Sequence, residues 1–155
     1  MYLESLMREV PLLLSAYTLF GSISRILSKY VIASLYFFRL SKYAEQVKEQ
    51  ITNGKLQIVP EGRRKEIVNF IDQGIEDISF SRPRKDLSWG IPVPGDETQT
   101  VYVWCDALTN YLYPKDWWPA DVHCIGKDIL RFHALYWPAM LLAVGLSLPK
   151  SIFVH

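Results

Sequence analysis

Cysteine is scarce in this sequence, with two residues in 155, Cys105 and Cys124, each set in an apolar run. Neither belongs to a CxxC pair or to a Cys/His ligand spacing, which argues against a disulfide framework and against a zinc site. Both are read as buried free thiols of a reducing compartment. Net charge is nearly absent too, since 17 basic side chains face 16 acidic ones. No global field then draws the chain to nucleic acid or anionic lipid. Long hydrophobic runs are also missing. Arg25 and Lys29 interrupt the apolar stretch from Val10 to Phe38, and Ala134 to Leu148 is shorter than the roughly 18–20 residues a membrane span requires. Both stretches are expected to be buried helices rather than spans. A cleaved leader or organellar presequence is the alternative for the first thirty or so residues, against which Glu4 and Glu9 count, because transit peptides are poor in acid.

What the chain does have is apolar and aromatic material: half its residues are hydrophobic, with five Trp and nine Tyr. A chain of this length is about one domain and buries roughly two-thirds of its unfolded surface, so one core is expected. Residues 1–35 read as an apolar helical segment without recognisable chemistry. Phe38, Leu40, Tyr43, Val47 and Ile51 then mark an amphipathic helix from Tyr36 to about Ile51, stopped by Asn53-Gly54. Pro60 opens a second helix through Ile67, Phe70 and Ile71, ended by Gly74. Composition shifts at Ile78, giving a helical unit over 36–77 and an α/β unit over 78–155. Ile78 to Ser81 alternates like a short strand, and Arg82 to Asp96, with three prolines and two glycines, is expected to run as an extended loop. Val101 to Cys105 reads as a strand, with Asp106 capping a short helix to Tyr113. Val122 to Ile125, a helix from Asp128 to about Val144, and Ser151 to His155 follow. Strand, helix, strand is the recipe for a parallel crossover.

Ligands of open parallel sheets gather beyond the carboxyl ends of strands, and Gly126-Lys127-Asp128 occupies that position. Gly126 has no side chain to obstruct a ligand, the helix start offers free N–H groups, and Asp128 can accept bonds from sugar hydroxyls. A turn glycine followed by a capping Asp explains the same three residues structurally. Along the helix, Ile129, Phe132, His133 and Tyr136 share one face, and Trp104 and Tyr111, from the neighbouring strand and helix, can close an apolar pocket with few polar groups. A plain core stripe with a satisfied histidine fits that spacing equally well. Pro138 removes a backbone bond and is expected to kink the helix near Ala134 to Trp137, re-aiming Trp137.

Several blocks resemble methionyl-tRNA synthetases of the bacterial and mitochondrial branch: Tyr36-Phe37-Phe38-Arg39-Leu40-Ser41-Lys42-Tyr43, Ile78-Ser79-Phe80-Ser81-Arg82, Trp89 to Asp96, Val101 to Tyr111, Trp118 to His123, Ile125 to His133 and Tyr136 to Ala139. They occur in order and together span Tyr36 to His155. The resemblance implies the second half of a class I, Rossmann-like α/β catalytic domain over 78–155, with the helical end of the connective region over 36–77. It implies ATP-dependent activation of methionine and transfer to tRNA. By position, Trp104, Ala107, Leu108, Tyr111, Ile129 and His133 look like the methionine pocket, with aromatic faces for a thioether and Tyr111 as a phenolic donor. Gly126 and Asp128 look like ribose contacts of ATP. Arg82 looks like a buried arginine that orients an acidic group from the first half of the domain. Phe132 and Trp137 look like aromatics that rearrange around substrate.

The departures matter as well. HIGH-type and KMSKS-type motifs do not occur in these residues, and residues 1–35 and the stretch between Tyr111 and Trp118 differ from the family pattern. The expectation is therefore a chain that belongs to the methionine ligases, takes methionine, ATP with Mg2+ and tRNA as substrates, and holds no metal of its own. Its compartment is expected to be cytoplasm or mitochondrial matrix. Alone it is expected to be inactive, with the missing parts of the synthetase as partners. Two alternatives are a ligase for another aliphatic amino acid and a non-catalytic interaction module derived from a synthetase. A membrane-associated protein is a third.

Overall fold

A computed structural model describes residues 35–155 apart from Ser88 and Pro114, so the expected helical segment over residues 1–35 lies, save for Leu35, outside the described residues. The architecture is α/β, as expected. Strand β1 (Phe37–Phe38) leads into helix α1 (Leu40–Thr52). Tyr36 to Phe38 thus precede the helix, because their backbone pairs with Ile78–Ser79 (β3) and Phe80 N–H bonds the Tyr36 carbonyl at 2.8 Å. Leu40, Tyr43, Ala44, Val47 and Ile51 recur every three or four residues along α1, and all are buried. Helix α2 (Glu61–Asp72) starts after Pro60 and stops before Gly74, whose φ of 93° carries the chain out of the helix at no side-chain cost. Lys48 of α1 pairs with Asp72 of α2, so the charged faces meet at the surface while Ile67 and Ile71 turn inward.

Between those helices lies a strand that the sequence reading missed, β2 (Gln57–Val59). It pairs in parallel with β8 (Ser151–Val154), which also pairs in parallel with β7 (Val122–Ile125) on its other side. The parallel pairing of β7 with β8 is the crossover anticipated from the strand, helix, strand order. Alternation along these strands sorts their side chains. Ile58, His123, Ile125, Ile152 and Val154 are buried in the core shared with α1, whereas Val59, Val122, Cys124 and Phe153 are exposed on the opposite face. Cys124 is therefore not the buried thiol expected, since strand period places it outward. Cys105 is buried.

The stretch from Arg82 to Asp96 is more than a loop. Strands β4 (Ser81–Pro83) and β5 (Pro92–Val93) flank β6 (Asp96–Val101) in an antiparallel sheet, turned at Gly95 with φ 82°. Strand β6 ends at Val101, and the expected strand through Cys105 is helix α3 (Val103–Thr109). Tyr102 still donates its N–H to the Phe80 carbonyl, but its own carbonyl accepts from Cys105 and Asp106, which starts the helix. Asp106 thus lies inside α3 and is not its cap. After β7, a single 3-10 turn (Lys127–Ile129) leads through a π-helical stretch (Phe132–Tyr136) into α4 (Trp137–Ala143). The irregularity expected before Pro138 takes this form. Proline cannot donate to the carbonyl four residues back, and a widened turn accommodates the missing bond.

Candidate functional site

The widened turn brings His133 and Trp137 inward, both buried, and leaves Phe132 and Tyr136 half-buried beside α3. Trp104 lies on α3 rather than on a strand, and its ring stacks on Phe132 at 4.0 Å between centroids. It meets His133 edge-on at 6.2 Å. Phe132 in turn meets Tyr136 at 5.2 Å. Tyr111, in a 3-10 turn after α3, closes the group: its hydroxyl lies 2.8 Å from His133 Nε2.

Hydrogen bonding fixes the roles of that pair. His133 Nδ1 lies 3.0 Å from the Ile129 carbonyl oxygen, which can only accept, so Nδ1 carries the proton. Burial lowers the His133 pKa, partly offset by the bond to Ile129, and keeps the ring uncharged near neutral pH. Nε2 is then an acceptor, and Tyr111 donates its O–H to it. Burial raises the Tyr111 pKa, so the hydroxyl keeps its proton. The phenolic donor anticipated from sequence is thus engaged by His133, and the Tyr111 oxygen offers lone pairs to a further group.

Ile129 contributes through its carbonyl and is half-buried, while Leu108 is buried in the core and Ala107 is exposed. Gly126 and Asp128 sit beyond the carboxyl end of β7, both exposed. The glycine has neither common structural reason to be there. Its φ of −77° suits any residue, and a Cβ built on it meets no atom within 4 Å. Arg82 is half-buried, donating to the Ser79 and Ser81 carbonyls at 3.2 and 2.7 Å, with its guanidinium 4.2 Å from the Tyr102 ring. Among the described residues it has no carboxylate partner.

Sequence reasoning missed two members of the cluster. His123 points inward from β7, with its ring 4.4 Å from Tyr111 and 6.0 Å from His133. Trp118 lies 6.0 Å from His123 and 5.6 Å from Trp137. Burial, with His133 close by, pushes the His123 pKa down to about 4. The signal was the alternation of Val122 to Ile125, which puts His123 on the same inward face as Ile125. Among the described residues no group of three or more His, Cys, Asp or Glu is placed to hold a metal ion, and no helix is long and apolar enough to cross a membrane.

Comparison with known proteins bears on this geometry. The family model described as tRNA synthetases class I (M) matches residues 14–155. A methionine--tRNA ligase of Nostoc sp. is 52% identical over 134 residues, covering 77% of this chain and 25% of its own length. The mitochondrial methionine--tRNA ligase of Mus musculus is 48% identical over 128 residues, with coverages of 77% and 22%. The solved structure of Mycobacterium tuberculosis methionyl-tRNA synthetase in complex with methionyl-adenylate superposes with a TM-score of 0.73 at 45% identity, over 78% of this chain and 26% of that one. The chain spans about a quarter of the length of these relatives.

Proposed function

The chain belongs to the class I tRNA synthetase family of the methionine--tRNA ligases, and from that premise we propose that it supplies the amino-acid pocket and a ribose-binding turn for methionine activation. The observation that carries this reading is the uncharged Tyr111–His133 pair, joined at 2.8 Å within a wall of Trp104, Phe132 and Trp137. Aromatic faces around two neutral polar groups suit a polarizable thioether and disfavour a charged side chain. Trp104, Ala107, Leu108, Tyr111, Ile129 and His133 are the residues we assign to methionine. Phe132 and Trp137 adjust around it.

Gly126 and Asp128 are assigned to the ribose of ATP. The open space over Gly126 lets a sugar approach the backbone, and the exposed Asp128 carboxylate can accept from its hydroxyls. Arg82 is assigned to orient an acidic group from the rest of the catalytic domain. In the whole ligase, methionine and ATP, with its Mg2+, give methionyl-adenylate, and the methionyl group passes to tRNA. The compartment that fits such an enzyme is the cytoplasm or the mitochondrial matrix.

Thermal melting with amino acids tests the assignment. Sulfur–aromatic contacts of about 0.3–1.5 kcal/mol predict methionine binding roughly two- to tenfold tighter than leucine, hence a larger shift in melting temperature at matched concentration. Equal shifts would remove the basis for a methionine pocket. His133→Ala is expected to erase the difference, whereas a histidine with only a packing role would lower both melting temperatures and leave the difference intact.

A further inference from the structure

We propose that the space behind Tyr111 is a polar compartment holding ordered water on His123 Nε2 and Trp137 Nε1, and that His123 is thereby a positioning residue for the Tyr111–His133 pair. The role given to His123 rests on the reading of this cluster as the methionine pocket. The compartment itself rests on geometry alone.

His123 is 6% exposed and Trp137 is 0% exposed, yet His123 Nε2 and Trp137 Nε1 are buried without a hydrogen-bond partner among the described residues. The two rings share the same neighbours. Tyr111 lies 4.4 Å from His123 and 6.3 Å from Trp137, and Trp118 lies 6.0 and 5.6 Å from them. Buried polar atoms in folded proteins are almost always paired, and ordered water is the usual partner where no side chain reaches.

The chemistry of the two nitrogens selects the guest. The indole N–H only donates, so the guest must accept, which excludes a metal ion or an ammonium group. An anion is disfavoured because no cation balances it among these aromatic rings and two uncharged imidazoles. A thioether accepts too weakly to satisfy an indole N–H and a second nitrogen. Water accepts from Trp137 and can donate to or accept from His123, whichever tautomer the imidazole adopts.

A water on Nε2 gives the His123 ring the anchor that the protein side chains do not. The Tyr111 ring lies against that imidazole, so the anchor is passed to the Tyr111 hydroxyl and to its bond with His133. His123 need not touch the amino acid to affect how well it binds.

His123→Phe in the full 155-residue chain keeps an aromatic ring at the position and removes both nitrogens. If His123 only packs, the variant melts at the same or a higher temperature and binds methionine as before, which overturns the positioning role. If it positions Tyr111, the methionine Kd rises about tenfold with little change in ligand-free melting, as expected for one lost hydrogen bond. The preference over leucine then shrinks. His123→Gln, whose amide nitrogen reaches a place close to that of Nε2, is expected to restore affinity to within about threefold, the residue of an imperfect geometry.

A second measurement needs neither a variant nor a ligand. Nuclear magnetic resonance of the wild-type chain is expected to show magnetisation transfer from water to the Trp137 indole proton, and a His123 Nε2 shift typical of a bonded nitrogen. An indole proton without such transfer, beside an Nε2 at its unbonded shift, overturns the compartment. Should the wild type bind no methionine, the proposed function fails while this measurement still decides the compartment.

Discussion

His123 and His133 face each other at 6.0 Å inside an aromatic enclosure, so protonating either places a charge where little can solvate it and close to a second imidazole. Both pKa values are accordingly lowered, that of His123 to about 4. An unfolded histidine titrates near its ordinary 6.5, so between that pH and about 4 the unfolded chain binds more protons than the folded one. The stability contributed by an uncharged His123 is complete above pH 6.5 and is lost as pH falls toward 4, by an amount on the order of 3 kcal/mol. Tyr111, the other titratable group against His123, stays protonated throughout. Melting temperature is therefore expected to be flat near neutrality and to fall on acidification. His123→Phe should shallow that fall, and an unchanged slope in a pH series would show that His123 is already charged or open to bulk water. At the same scale, Tyr111→Phe strips His133 Nε2 of its donor and is expected to cost about 1–2 kcal/mol in chemical denaturation. That Phe132 and His133 share one face with Ile129 and Tyr136 was legible because helical period sets it, whereas Trp104 and Tyr111 reach them from α3 and the turn after it, read from sequence as a strand and a helix. The partnership between them was not: the direction of the Tyr111 proton depends on the Ile129 carbonyl, a backbone atom with no signature in sequence.

Elements legible from periodicity are those long enough to express it. Helix α1 shows its buried positions over 13 residues, and β7, α4 and β8 stand between clear turn residues. Strand β2 has three residues, one of them buried, and sits between a glycine turn and Pro60, so its sequence looks like a connection. Only its parallel register with β8 makes it a strand. The start of α3 was misread because Val101, Val103 and Trp104 favour extended backbone one by one. The Tyr102 N–H still bonds the Phe80 carbonyl across 22 residues of sequence, and the strand stops where the Tyr102 carbonyl accepts from Cys105 and Asp106 instead. The turn between β7 and the π-helical stretch yields a prediction that separates fold from function. Gly126→Ala meets no atom and suits a φ of −77°, so stability should be unchanged or rise by up to about 1 kcal/mol through a stiffer unfolded chain. If the turn receives a ribose, the added methyl group should weaken nucleotide binding. Adenosine or ATP titrations that give the same affinity for both proteins would leave Gly126 without a ligand role.

On the scale of the whole molecule, the described residues cover one face of the parallel sheet. Val59, Phe153 and Cys124 form one cross-strand row on the other face, with Val122 beside it, and all four side chains are exposed. Parallel sheets are ordinarily buried on both sides. Thiol chemistry reports this asymmetry directly. A water-soluble disulfide reagent is expected to modify Cys124 in the folded chain and to spare Cys105, which is buried and has its thiol pushed up to about 12. Equal reactivity would mean that α3 opens readily or that the sheet face is covered in solution. The uneven cover also frames what these 155 residues can do by themselves. The proposed function assigns them an amino-acid pocket and a ribose turn, side by side along one strand end and the helix that follows it. Forming an adenylate also requires donors aimed at the charge that develops on the α-phosphate. HIGH-type and KMSKS-type motifs do not occur in this sequence, and Lys127 is the single basic residue of the 3-10 turn Lys127–Ile129 that follows β7. Removing one preorganised donor commonly costs about two to three orders of magnitude in rate, so the loss of several takes the reaction below detection. The polypeptide of these 155 residues is therefore expected to show methionine-dependent melting shifts but no methionine-dependent exchange of pyrophosphate into ATP. Exchange above background by chain freed of host synthetase would mean that other groups stabilise the phosphate. Arg131 is then the first side chain to replace, since it is exposed on the same helix and stacked at 4.0 Å over Phe70.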